Sequence, residues 1–150
     1  MEVLTSMIGF IDMDKVVNST AAYKQGEKDL EAHKIMLETQ LQQMMNEYEA
    51  LSNEYQQNTE IWTDLVKASK IQEIANLEER IREAQANVQA SVEEKRATIV
   101  KAIEEKIRTV TEQLAKEKEL DFVFTASEGS SLVYAKENRD LTAEVIQRLN

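Results

Sequence analysis

Few side chains in this sequence have the types and spacing that catalysis or metal binding requires. His33 is the only histidine, and there is no cysteine. The chain therefore lacks the residues for nucleophile–base pairs and for histidine or thiolate metal sites. Asp12 and Asp14 stand two apart and could share a cation, although a turn cap is the favoured interpretation. We predict that the protein is not an enzyme and needs no metal or cofactor.

The glutamates and glycines give no further chemistry. Adjacent pairs such as Glu104-Glu105 fit a solvated helix face with partners such as Lys106 and Arg108. The sequence has no glycine-rich loop that could cradle a phosphate, which argues against ATP as an energy source. His33 falls outside the apolar positions of its predicted helix, so we expect it to face solvent.

The elements that carry these residues are mostly helical. The chain has 150 residues, no proline and only three glycines, none of which lies between residues 27 and 128. Because proline breaks a helix and each internal glycine costs about 1 kcal/mol, this composition permits very long helices. Charged residues make up 31% of the chain and aromatic residues 5%, a composition typical of coiled coils.

Apolar residues in this region alternate in steps of three and four, the pattern of a coiled-coil seam. The first seam combines two series: Tyr23, Leu30, Leu37, Met44, Leu51 and Leu65, with Leu41, Tyr48, Tyr55 and Trp62. The second seam slips near residues 91–96 and comprises Ile74, Leu77, Ile81, Ala84, Val88, Val100, Ile103, Ile107, Val110 and Leu114. Two seams predict two helices that pack together.

A chain reversal near residues 58–64 would join the two helices into an antiparallel hairpin. Thr63 followed by Asp64 favours a new helix there, and Ser69 with Gln72 is the second candidate for its start. Upstream, Asn18, Ser19 and Thr20 could all cap the first long helix. We therefore predict a hairpin arm over residues 21–118.

The two ends of the chain have a strand-like pattern. Residues 7–13 read as a short buried strand. Residues 121–135 read as two strands around a Gly/Ser turn, the second being "LVYA", and Thr142 is expected to cap a final amphipathic helix. We predict a mainly α protein in which residues 1–20 and 119–150 form a small β-rich body. So small a sheet is marginal and has open edges, so it needs further strands or a partner surface to be stable.

The formal charge of −10 is unevenly distributed. Residues 1–70 carry 12 acids and 6 bases, whereas residues 71–118 carry 10 and 9. An acidic surface disfavours non-specific binding to nucleic acid. The sequence shows no apolar run long enough to cross a membrane and no signal-peptide pattern in its first ten residues.

The ordered pattern of "GFIDMDKVV", a long helical hairpin and "ELDFVFTASEGSSLVYAKENRDLTAEVIQRL" resembles the Skp (OmpH) family of periplasmic chaperones. The C-terminal part, with Phe124, "LVYA" and the Asp-Leu-Thr step at 140–142, is the most specific, and the resemblance extends from about Met7 to Asn150. It implies a homotrimer whose β-rich bodies form a shared head, with the hairpins surrounding a cavity. The residues that it places in the head interface are Ile8, Phe10, Ile11, Phe122, Phe124, Val133 and Tyr134.

The function implied by the resemblance is ATP-independent holding of unfolded outer-membrane β-barrel proteins in the periplasm, with transient contact at a membrane surface. Methionine is adaptable, so Met36 and Met45 are candidate client-binding residues, whereas Met44 lies on the seam and is assigned to the core. Ile61 and Trp62, at the predicted tip, either close the hairpin or bind a client.

One departure from the family concerns charge. Well-known Skp-like chaperones are basic, and their arms have been linked to acidic clients and lipopolysaccharide, but the arms here are acidic overall. A lipopolysaccharide site is therefore not carried over. Clients of this chain are held chiefly by apolar contacts, or they are more basic; the sequence leaves both hypotheses open.

Two other classes of protein fit part of the pattern. A structural coiled-coil scaffold without chaperone activity explains the seams but not the strands at the two ends. A prefoldin-like chaperone also has long helical arms, but it places its strands between its helices. The order of elements favours the Skp-like interpretation.

Overall fold

The computed structural model describes residues 6–150, so the first five residues of the predicted β-rich body lie outside the described part. The first two elements are the strand β1 (Ile8–Ile11) and the short helix α1 (Met13–Ser19). Two long helices follow, α2 (Ala21–Asn58) and α3 (Asp64–Glu117). The chain then forms the strand β2 (Phe122–Thr125), a single 3₁₀ turn (Glu137–Arg139) and the helix α4 (Thr142–Leu149).

The chain divides into two compact units. One consists of Met1–Lys28 with Arg96–Asn150, and the other of Asp29–Lys95. We call them the β unit and the hairpin unit. In the hairpin unit, His33 of α2 contacts Ser91 of α3, and Glu54 of α2 contacts Lys70 of α3. The two helices are therefore antiparallel, and the predicted fold class, mainly helical with a small sheet made from both chain ends, is confirmed.

The β unit has its own apolar core. Its buried residues come from β1, α1, α3 and the last helix: Ile11, Val16, Val17, Ile103, Ile107, Leu114, Leu141 and Val145. Burial of an aliphatic side chain stabilises a fold by about 1.5–3 kcal/mol. This cluster is what holds the two ends of the chain together against one side of the sheet.

The sheet has two strands, and they are parallel. β1 and β2 pair in the register Ile8↔Phe122 and Phe10↔Phe124, and a single bridge joins Phe10 to Asp140 on the other side of β1. The prediction that "LVYA" is a further strand is wrong, because residues 132–135 form no strand in the structure. A strand exists only where its backbone has a hydrogen-bonding partner, and a single copy of the described chain offers this segment none.

The predicted helix starts are largely correct. Thr20 Oγ1 accepts a hydrogen bond from the Tyr23 amide at 3.1 Å, and Thr63 Oγ1 accepts one from Val66 at 3.3 Å. α3 therefore starts at Asp64, and the alternative start at Ser69 is wrong. Asp12 caps α1 by accepting from the Lys15 amide at 3.1 Å, as the cap interpretation predicted.

Thr142 does not cap α4 with its own hydroxyl. Asp140 Oδ1 accepts from the Thr142 amide at 2.9 Å, and it also accepts from the Thr142 hydroxyl. The hydroxyl oxygen in turn accepts from the Asp12 amide at 3.0 Å, which links the C-terminal helix to the end of β1. The N-cap position is Leu141, which makes no side-chain cap hydrogen bond, so the prediction that Thr142 caps this helix is wrong.

Leu65 was placed on the first seam, but its side chain is 82% exposed. The turn at residues 59–63 lies between Leu65 and the rest of that seam, and a reversal resets the helical phase.

His33 was expected to face solvent, yet it is half-buried and lies 2.9 Å from Ser91 Oγ. The inward residues Leu30, His33, Leu37 and Leu41 are separated by three, four and four, so His33 takes an inward position in a stretch where the predicted second series has no apolar member.

Near residues 91–96, where the apolar pattern of the second seam slips, other side chains make the contacts between the helices. In the hairpin unit Val92 is buried and Ser91 is half-buried. In the β unit Arg96 donates to Glu27 Oε1 at 2.7 Å, and Ile99 packs against α2 at Gly26. In each unit, polar side chains such as Ser91 and Arg96 thus take part in the helix contacts beside apolar ones.

Candidate functional site

The sheet of the β unit has a strongly apolar outer face. Ile8, Phe10, Phe122 and Phe124 share this face because paired residues of neighbouring strands point to the same side. Ile8 is 44% exposed and Phe124 56% exposed, and the rings of Phe122 and Phe124 stack at 6.1 Å. We call these four residues the outer sheet face. In one copy of the chain, large apolar side chains on it are exposed to water.

The segment after β2 extends this apolar surface. Val133 is 98% exposed and Tyr134 is 80% exposed. A groove of about 590 Å³ lies between the outer sheet face and residues 130–136. Exposed apolar patches of this kind are typical of protein–protein interfaces.

Of the seven residues assigned to oligomerisation, Ile11 was assigned wrongly. It is 2% exposed and belongs to the same core cluster as Val16 and Val145. Along a strand alternate side chains point to opposite faces, so Ile11 cannot share the outward direction of Phe10. The other six residues lie on the outer sheet face or in the exposed segment, and their assignment stays a prediction.

The hairpin unit exposes a second set of apolar side chains. Met36 is 47% exposed, Met45 42% and Ile61 77%. Trp62 is only half-exposed, because it packs edge-on against Tyr55 at 6.2 Å and Lys70 Nζ lies 5.9 Å from its ring centroid. Trp62 thus closes the end of the hairpin, whereas Ile61 is open to a partner.

Sequence reasoning missed other exposed apolar residues of the hairpin unit. These are Ile35, Leu65, Val66 and Ile71. Leu65, at 82%, is the most exposed of them and stands four residues after Ile61. Its heptad position suggested burial, and the only contrary signal was the predicted turn directly before it.

The polar candidates have structural roles in the described part of the chain. Asp12 caps a helix, and His33 contacts Ser91. Among residues 6–150, no group of three or more His, Cys, Asp or Glu side chains has an arrangement that could hold a metal ion. Within the same range, no helix combines the length and apolar character needed to cross a membrane.

In the β unit, the ion pair between Glu117 and Arg148 shifts the pKa of both side chains. Arg148 Nη1 donates to Glu117 Oε1 at 2.9 Å, and Nη2 donates to Oε2. These hydrogen bonds lower the pKa of Glu117 and raise the pKa of Arg148. The pair ties α4 to the end of α3 at the surface.

Taken together, a small parallel sheet from both chain ends, two long paired helices and exposed apolar surfaces define a helical-hairpin protein with a β unit. The chain belongs to the outer membrane protein (OmpH-like) family, whose sequence profile matches residues 7–149. The family resemblance predicted from the sequence is confirmed.

A solved structure supports the fold. The chain is similar to a crystal structure from Caulobacter crescentus CB15 of a proposed outer membrane chaperone (OmpH-like), with a TM-score of 0.79. The two chains are 10% identical, and the match covers 99% of this chain and 86% of that one. A search of curated proteins finds no match.

Proposed function

We propose that this protein is an ATP-independent holdase chaperone of the periplasm that binds unfolded outer-membrane β-barrel proteins and prevents their aggregation. Membership of the OmpH-like family supports a chaperone role in general. The observation that carries the more specific proposal is the set of exposed apolar side chains on the hairpin unit, among them Met36, Met45 and Ile61. Unfolded barrel proteins expose alternating apolar residues, which such a surface can cover.

The working form is a homotrimer. The outer sheet face and Val133 are exposed in a single chain, and association of three copies around a closed axis would bury them. Residues 132–135, whose composition favours a strand, could also add to an open strand edge of another copy through backbone hydrogen bonds. The helical hairpins of the three copies would then enclose a cavity for the client.

Release needs no nucleotide. Binding to the unfolded client is governed by mass action, so a client leaves when it finds a more favourable partner at the membrane surface. The protein has no catalytic role in this proposal, and it needs no cofactor.

Native mass spectrometry tests both parts of the proposal. The 17.2 kDa chain is measured alone and after dilution of a urea-unfolded barrel protein into the sample. We expect a trimer that gains the mass of one client, and reduced light scattering from the diluted client. A trimer that neither binds the client nor lowers scattering would instead identify a structural coiled-coil scaffold.

Matched variants locate the client-binding surface. The double variant Met36→Ser/Met45→Ser removes two exposed apolar side chains from α2. The control Ala32→Ser/Ala50→Ser places the same new residue at two exposed positions of the same helix. We expect the first variant to suppress client aggregation less well than the control. Equal suppression would exclude these methionines from the client surface.

A further inference from the structure

The hairpin unit contains a long stretch in which every formal charge is negative. Between Lys34 and Lys67 the chain carries six acidic residues and no lysine, arginine or histidine. The stretch includes the second half of α2 and the turn that follows it. Charge of one sign on a surface attracts partners of the opposite sign over a distance of about 8–10 Å at moderate salt.

A groove in the hairpin unit lies beside this acidic stretch. Its volume is about 420 Å³, and it is lined by both α2 and α3. Met45, Tyr48 and Ile81 supply apolar lining, while Glu49 and Glu78 place carboxylates in the same groove. We call these five residues the acidic groove. Met45 is 42% exposed, so the apolar part is open to a partner.

Among the ion pairs that the structure describes, the cation nearest to these carboxylates would compete only weakly with a basic group of a partner. Arg82 Nη2 lies 4.0 Å from Glu78 Oε1, and both side chains are more than half exposed, at 76% and 57%. Such exposed pairs are easily displaced because they contribute little to stability. A basic group of a partner could therefore take the place of Arg82 beside Glu78.

We propose that the acidic groove binds segments of unfolded protein in which an apolar side chain stands next to lysine or arginine. The apolar side chain packs on Met45, Tyr48 and Ile81, and the cation pairs with Glu49 and Glu78. Lysine and arginine suit the site because their aliphatic stems can lie along the apolar lining while their charged ends reach the carboxylates. The inference rests on the proposed chaperone function and narrows it to basic stretches of the client.

The test uses the full-length protein and two short unstructured peptides labelled with a fluorophore. Both peptides have the same alternating apolar residues, with lysine at every polar position in one and glutamate in the other. Binding is measured by fluorescence anisotropy. We expect the lysine peptide to bind at least tenfold more tightly, and its affinity to fall as salt rises from about 50 to 300 mM.

Charge variants assign the effect to the groove. Glu49→Gln/Glu78→Gln should weaken binding of the lysine peptide by about fivefold, as expected for two largely exposed charge pairs. The control Glu47→Gln/Glu83→Gln removes the same net charge from exposed positions of the same two helices that do not line the groove. We expect the control to change the affinity by less than about twofold, since screened charges at a distance act weakly.

Three results would overturn the inference. The peptides could bind equally, the two double variants could weaken binding equally, or Met45→Ser could change the oligomeric mass, which would make the groove a contact between copies of the chain. The scattering assay is independent of these results. If the protein suppresses client aggregation but does not prefer the lysine peptide, it is a chaperone that binds clients through apolar contacts. If it does not suppress client aggregation, the proposed function itself is wrong.

Discussion

Gly26 of α2 packs directly against Ile99 of α3, so closely that a Cβ atom on Gly26 would lie 2.7 Å from Ile99 Cγ2. A Cβ atom almost never comes this near to another carbon, and the β-branched Ile99 cannot swing its methyl group away easily. Glu27, the residue after Gly26, forms an ion pair at 2.7 Å with Arg96, three residues before Ile99. The missing side chain thus permits the close approach of the two helices within the β unit.

The first prediction concerns this contact. In an exposed helix, replacing glycine by alanine stabilises by about 1 kcal/mol. Gly26→Ala should instead lower the free energy of unfolding by about 1 kcal/mol or more, because overpacking outweighs the gain in helix propensity. The measurement is urea denaturation followed by circular dichroism.

Ile99→Ala provides the control for that prediction. It removes the Cγ2 atom that Gly26→Ala would strike. In the Ile99→Ala background, Gly26→Ala should be neutral or stabilising. If Gly26→Ala destabilises both backgrounds equally, the contact with Ile99 is not the cause.

The second prediction concerns the end of α3. Glu119 has a φ of +52°, and the amides of Glu119 and Leu120 donate to the carbonyls of Lys116 and Ala115. This is a Schellman motif, whose left-handed position is normally glycine. Glu119→Gly should raise the free energy of unfolding by about 0.5–1 kcal/mol. Lys116→Gly, three residues earlier and still helical, should lower it by about the same amount; the same sign for both variants would contradict the prediction.

The third prediction concerns the link between the chain ends. Thr142→Val removes the hydroxyl that accepts from the Asp12 amide. An amide left without its partner in a partly buried place costs about 1–3 kcal/mol. The exposed Thr109→Val is the control, since its hydroxyl only donates to the Glu105 carbonyl within its own helix, and it should change stability by less than about 0.5 kcal/mol. Equal losses in thermal or urea unfolding would show that the link to Asp12 has no special role.

The fourth prediction concerns pH. The hydrogen bonds from Arg148 hold the pKa of Glu117 below its ordinary value of 4.5. The pair therefore stabilises the fold above the ordinary pKa, and this contribution is lost as the pH falls through the lowered pKa in the native state. Arg148→Met should be less stable than the wild type at pH 7. The difference should shrink once Glu117 is protonated, and urea unfolding at neutral and acidic pH measures it.

Glu117→Gln is the companion variant in that experiment. Glutamine has no carboxyl group to titrate, so this variant cannot form or lose the ion pair as the pH changes. We therefore expect the difference in stability between Glu117→Gln and Arg148→Met to lack the pH dependence of the difference between wild type and Arg148→Met. A difference between wild type and Arg148→Met that stays constant with pH would exclude the ion pair as its source.

The fifth prediction tests the outer sheet face. Phe122→Ser/Phe124→Ser replaces two exposed stacked rings. If this face joins copies of the chain, the variant should shift the mass distribution toward monomer, while Ile61→Ser/Leu65→Ser in the hairpin unit should leave it unchanged. Sedimentation or native mass spectrometry gives both masses. A trimer that survives the phenylalanine changes places the interface elsewhere.

The amino-acid sequence by itself determined the two long helices of this protein and the family to which it belongs. A capping threonine precedes each long helix, Thr20 for α2 and Thr63 for α3, and neither helix contains proline. These signals predict both helices, because helix starts and helix breakers are local properties of the chain. The ordered pattern at the chain ends likewise identified the family.

Only the tertiary structure decided which side chains face inward and what each end of the chain pairs with. His33 lies inside because the heptad pattern is interrupted nearby, and Leu65 lies outside because a turn resets the helical phase. The parallel pairing of β1 with β2 joins residues 114 positions apart in the sequence (8 to 122), and "LVYA" stays unpaired as a strand although its composition favours one. Strand pairing and burial depend on partners distant in the chain, and a local pattern contains no information about where those partners lie.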